Sequence, residues 1–222
     1  MRSWLRQLPM GLLIAAAPPA PGTAPLEQRV LEELNRIRGA PDVLAEELRA
    51  FRSWYRGELI HIPGRLSPVI TKEGAPAVDE AIAYVAARVP LPPLRFSPLL
   101  TRAAADHAAY LAQGPVGHYG ADGSNPADRV ARRGGGRNVG EIISFGYDDA
   151  AGVVRQFVVD DGVPDRGHRD IVFSARYLFA GTACAPHPRY RILCVVVLAP
   201  TADGRVRSPP PPSARRRRAS GG

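Results

Sequence analysis

Apolar positions recur at helical spacing through the first half of the chain and at strand spacing towards its end. From Leu26 to Arg38, Leu26, Val30, Leu34 and Ile37 share one face with Leu31 beside them, which predicts an amphipathic helix. Gly39-Ala40-Pro41 ends it, and Asp42 is placed to cap a second helix through Val43, Leu44, Leu48 and Phe51. Residues 57–76 are rich in Gly and Pro and lack a period, so they read as a loop. A third helix is expected over Ala77–Val89, with Val78, Ile82, Val85 and Val89 on one side, before the proline cluster at 90–93 stops it.

Ser97 and Pro98 open the clearest helix, one as N-cap and the other at the first helical position. Its inner face carries Leu100, Ala103, Ala104, His107, Ala108 and Leu111. His107 on that small-residue stripe reads as a hydrogen-bonded core histidine. Asn125, Pro126 and Asp128 have the order of a capping box at the start of a short helix. Val139 to Phe145 alternates weakly, as a strand at a sheet edge would. Asp148 or Asp149 then caps a helix whose buried side is Val153, Val154, Phe157 and Val158. Tyr177–Cys184 and Tyr190–Ala199 are β-rich runs around Pro186-His187-Pro188. A hairpin centred on Arg189 sets Cys184 opposite Cys194, with His187 as a solvated turn residue.

Composition adds compartment more than chemistry. The formal net charge is +8, but Arg215–Arg218 hold four of these charges and Arg2 and Arg6 two more, leaving about +2 for the middle of the chain. Lys72 is the single lysine among 29 basic residues, so the arginines reflect a compositional bias and not a basic face for nucleic acid. Two basic residues before the apolar run Leu8–Ala17 have the order of a secretory signal, too short to span a bilayer, with cleavage expected between Ala16 and Ala24. Two cysteines in an exported chain favour one disulfide, the alternative being two buried thiols. The expected organisation is a signal peptide over 1–24, a helical N-terminal extension over 26–90, a core over 91–200, and a disordered Pro/Arg-rich tail over 201–222.

Candidate chemistry centres on residues 160–169, where Asp160, Asp161, Asp165, Arg166, His168 and Arg169 crowd together. Gly117-His118 and Gly140-Glu141 lie upstream. Two histidines with carboxylates can bind a divalent metal or move protons, but spacing alone favours capped, solvated turns, since Asp/Gly/Pro clusters are ordinary loop chemistry. Asp160 and Asp161 sit at a helix C-terminus, against the helix dipole, which calls for a partner: Arg166, Arg169 or a metal. Ser124 near His118 lacks a strand–turn–helix elbow and is no serine nucleophile. The run Arg132–Arg137 lacks the strand and lysine of a phosphate-binding loop, and no HExxH helix supports a metalloprotease.

Taken in order, Leu99-Leu100 with Ala103-Ala104 and His107, then Gly117-His118, Asp122-Gly123-Ser124, Val139-Gly140-Glu141-Ile142 and Gly167-His168-Arg169 resemble the CAP superfamily. That superfamily groups cysteine-rich secretory, antigen 5 and pathogenesis-related 1 proteins with bacterial SCP-like extracellular members. The resemblance covers about Leu94–Ala199, with Leu34–Arg38 similar to the family's opening helix. It implies an α+β fold, a three-layer α-β-α sandwich with a helical N-terminal extension, and a secreted, extracytoplasmic protein. It also implies that His118, Glu141, Asp160 and His168 face one cleft, able to hold a divalent metal such as zinc. Asp160 is shorter than the family's usual glutamate, and Asp161 is its alternative. Residues between Gly39 and Leu91 form an insertion relative to compact members. The function implied is a non-enzymatic binding module with a lipid, sterol or extracellular protein ligand. The alternative is a metal-dependent hydrolase with Glu141 as general base.

Overall fold

The computed structural model describes residues 24–206; the expected signal segment before Ala24 and most of the expected tail lie outside them. Along the chain, α1 (Leu26–Gly39) and α2 (Pro41–Arg52) precede β1 (Tyr55–Arg56), β2 (Leu59–Ile60) and β3 (Val69–Ile70). Then come α3 (Ala75–Ala86), β4 (Arg95–Phe96), α4 (Pro98–Leu111), α5 (Pro126–Arg132) and β5 (Gly140–Phe145). The chain continues through α6 (Ala150–Val159), α7 (Gly167–Val172), β6 (Phe179–His187) and β7 (Arg191–Ala199).

Strand β7 shows how the layers form. Cys194, Val196 and Leu198 point into one apolar cluster with α1, α2, α3 and α6. Leu193, Val195, Val197 and Ala199 point into another with α4 and Val130 of α5. A period-2 strand buried on both faces needs a helical layer on each side, and the chain supplies both. The sheet order is β4-β6-β7-β5, antiparallel except for β4 beside β6. The result is an α+β, three-layer α-β-α sandwich.

The small-residue stripe of α4 lets that helix lie close on the sheet. Ser97 caps it through the Leu100 N–H and also donates to the Ala202 carbonyl. Gly181 of β6 receives its first turn, and a Cβ there would collide with the Thr101 amide. In the other layer the buried Arg38 of α1 donates to the carbonyls of Pro92, Val172, Ser174 and Tyr177. With no carboxylate among these partners, burial pulls its pKa down to about 10.

Several local expectations shift. Helix α2 starts at Pro41, whose fixed φ suits the first helical position, so Asp42 lies in the first turn and not at the cap. Helix α3 begins and ends earlier than its apolar spacing suggests, leaving Val89 exposed. The segment 57–76, expected as a loop, holds β2 and β3, which join β1 just before it in a three-stranded antiparallel sheet that pairs Tyr55 with Ile60 and Leu59 with Ile70. Two-residue strands are too short to register as a period. His187 is not a solvated turn residue. It is buried, and its Nδ1 accepts the N–H groups of Arg189 and Tyr190, each at 3.1 Å, to close the hairpin. That register pairs Cys184 with Cys194, which form a disulfide.

Candidate functional site

Each of the two histidines rests on a buried carboxylate. His118 follows Gly117, which adopts a positive φ of 107° and turns the loop after α4 over the end of β5. Its Nδ1 lies 2.9 Å from Glu141 Oε1 on β5. Arg129 of α5 donates to Glu141 Oε2 at 2.7 Å, and also to the carbonyls of His118 and Ser124. One guanidinium therefore fixes both the acid and the backbone of the histidine it holds. The Asn125–Asp128 capping box sets the start of α5 and so the position of Arg129. Buried His107 donates from Nε2 to the Gly117 carbonyl at 2.9 Å and lies 3.8 Å from Glu141. Burial lowers its pKa more than neighbouring Glu141 raises it.

The second pair is local in sequence. Asp160 ends α6 in the left-handed conformation, with φ of 56°, where Asp is better tolerated than bulky residues. Its Oδ1 lies 2.6 Å from His168 Nδ1, while Oδ2 accepts the N–H groups of His168 and Arg169 at the start of α7. Asp161 faces the other way and accepts the N–H groups of Lys72 and Glu73. Arg166 pairs with Glu73 and Glu80 and donates to the Asp160 carbonyl; Arg169 pairs with Glu80. Arg166 and the Gly162 N–H hold Glu73 down to about 2, and Arg166 likewise lowers Glu80.

The structure thus brings His118, Glu141, Asp160 and His168 together. The two rings lie 6.2 Å apart, centre to centre, and are inclined by 38°. The acids stand behind the rings: their side chains are 1% exposed, against 42% for His118 and 22% for His168. A carboxylate at Nδ1 selects the Nδ1–H tautomer of a neutral imidazole and leaves the Nε2 lone pair available. Among the described residues, no group of three or more His, Cys, Asp or Glu side chains is arranged to hold a metal ion. Sequence reasoning missed Arg129, Glu73 and Glu80 as supports of the site. An arginine-rich composition hides a functional arginine, and the two glutamates sit in a segment that shows its relation to His168 only after folding.

Among comparisons with known proteins, a family model described as the cysteine-rich secretory protein family, CAP, matches residues 31–198. An outer surface protein from Borrelia burgdorferi is similar in structure at 18% identity, covering 49% of this chain and 77% of that one, with a TM-score of 0.40. An extracellular protein containing a SCP domain, from Bacillus anthracis str. Ames, is similar at 14% identity with a TM-score of 0.41. That match covers 56% of this chain but spans only 37% of the Bacillus protein. No curated protein matches the chain.

Proposed function

The chain belongs to the cysteine-rich secretory protein (CAP) family, and on that premise we propose that it is an extracytoplasmic, non-enzymatic binding module whose cleft takes a divalent cation. The observation that carries this reading is the pairing of each imidazole Nδ1 with a buried carboxylate. Such pairs orient metal-binding histidines and raise their basicity. His118 and His168 would ligate through Nε2, water would complete the coordination, and Glu141 and Asp160 would act behind them. Nitrogen and oxygen donors of this kind suit zinc. The Cys184–Cys194 disulfide supports an oxidising compartment. Among the described residues, no helix is long and apolar enough to cross a membrane.

Binding is favoured over hydrolysis by the state of Glu141. Both of its oxygens are engaged, one by His118 and one by Arg129, so neither is presented to a nucleophilic water. Zinc calorimetry on the parent and on the His118→Ala/His168→Ala double variant tests the proposal. One zinc should bind per chain and be lost in the double variant. Asp160→Asn should weaken binding by about 10- to 100-fold, as expected for a residue behind the ligands. Zinc binding that persists undiminished in the double variant, or its absence from the parent, overturns the reading.

A further inference from the structure

The insertion of short strands has a counterpart in the shape of the molecule. A cavity of about 360 Å³ lies between β1–β3 on one side and β5 and α6 on the other, with His168 at its border. That volume is at the small end of the range for organic ligand sites. Phe51, Tyr55, Phe145, Tyr147, Phe157 and Tyr190 contribute to its wall, so six Phe and Tyr side chains from separate stretches of chain meet there. Aromatic walls suit a flat apolar body, with the phenols of Tyr55 and Tyr147 as polar handles.

Charge narrows the class of ligand. Arg65 and Arg155 both line the cavity, and neither forms an ion pair among the described residues. Each guanidinium instead lies against an aromatic ring: Arg155 is 4.3 Å from the centre of Phe51, and Arg65 is 5.8 Å from that of Tyr147. Arginines outside the cavity also stack on rings without an ion pair among the described residues, as Arg88 does on Tyr84 and Arg95 on Phe179, so what marks Arg65 and Arg155 is that both line one cavity. Asp160 and Asp161 also border the cavity. Their oxygens are already committed to His168, Arg169, Lys72 and Glu73, and their charge repels an anion. Negative charge on a ligand is therefore assigned to the arginines.

We infer that this cavity is a binding site for a small aryl-bearing carboxylate, its ring among the tyrosines and its carboxylate on Arg65 and Arg155. The cavity shares His168 and Asp160 with the proposed cation site, but the inference does not rest on that reading, since the carboxylate is assigned to Arg65 and Arg155 and not to a metal ion.

Calorimetry on the full chain with chelator present tests it using three probes of one shape: 4-phenylbutyrate, 4-phenylbutanamide and 4-phenylbutylamine. The acid should saturate the protein below about 1 mM. The amide should bind about tenfold more weakly and the amine more weakly still, because a charge-assisted contact is lost and then reversed. Arg65→Met combined with Arg155→Met should bring the acid's affinity to that of the amide, with zinc binding unchanged. Equal binding of all three probes by the parent overturns the inference. So does the absence of saturable acid binding, or full affinity for the acid in the folded double variant. Because the probe series uses the parent alone, poor folding of the variant does not remove the test.

Discussion

The two halves of the histidine cleft present the same group by different means. His118 and Glu141 are 23 residues apart, joined across a loop and a strand, with Arg129 and His107 packed behind them. His168 and Asp160 are eight residues apart, joined through one turn, with the acid accepting the N–H groups of the second and third residues of α7. One half is built into the sheet and rests on a buried ion pair. The other is a helix-end motif, buttressed by ion pairs of Arg166 and Arg169 with Glu73 and Glu80, before and within α3. The same chemistry therefore has two different weak points: desolvated charge in the first half, and chain conformation in the second.

Removing Arg129 should break the first half most severely. In Arg129→Met, Glu141 keeps its burial and loses its permanently charged partner, an arrangement that costs about 3–5 kcal/mol. Denaturant unfolding should record that loss. Imidazole NMR should show His118 released while His168 keeps its hydrogen bond to Asp160. A loss below about 1 kcal/mol would mean that the pair is solvated and that the comparison fails. Asp160→Asn tests the other half and should cost less, about 1–2 kcal/mol, since asparagine tolerates the left-handed backbone and can still cap α7. The signal from His168 should broaden or shift and that from His118 should not. An equal disturbance of both rings would show that the halves are one network.

What could be read from the sequence follows the same division. The Ser97 cap, the small stripe of α4, the Asn125–Asp128 box and the Cys184–Cys194 register are patterns within short segments, and the structure has each of them. His118, Glu141, Asp160 and His168 could be named from short motifs in order, but their pairing could not. Whether Asp160 or Asp161 turns inward depends on the left-handed residue that ends α6 and on the Lys72 and Glu73 amides that claim the second acid. Arg38 and Arg129 were illegible for a different reason. Each looks like one more arginine on an amphipathic helix, and only long-range packing buries it. The sheet β1–β3 and the buried His187 likewise depend on partners that lie outside any local window.

Acid should separate the halves with the smallest effect of the three. His107 supports the first half and has a folded pKa held below its ordinary 6.5 by burial. The unfolded chain therefore binds this proton more readily. Its contribution is full above about pH 6.5 and is lost as pH falls through the depressed folded value. Glu73 supports the second half, with a folded value of about 2 against an ordinary 4.5. Its contribution is full above pH 4.5 and is lost as pH falls towards 2. The first half should thus weaken at higher pH than the second. Glu80, Asp122, Asp128 and Asp203 also have lowered values, so the parent's acid loss is a sum, and variants are needed to isolate each contribution. In unfolding midpoints measured against pH, His107→Gln should flatten the upper part of the profile and Glu73→Gln the lower part. The Glu73 effect should be modest, because its side chain is 32% exposed and the Arg166 pair is screened by solvent. If His107→Gln leaves the upper slope unchanged, His107 does not couple the sheet-built half to pH, and that half rests on Arg129 alone.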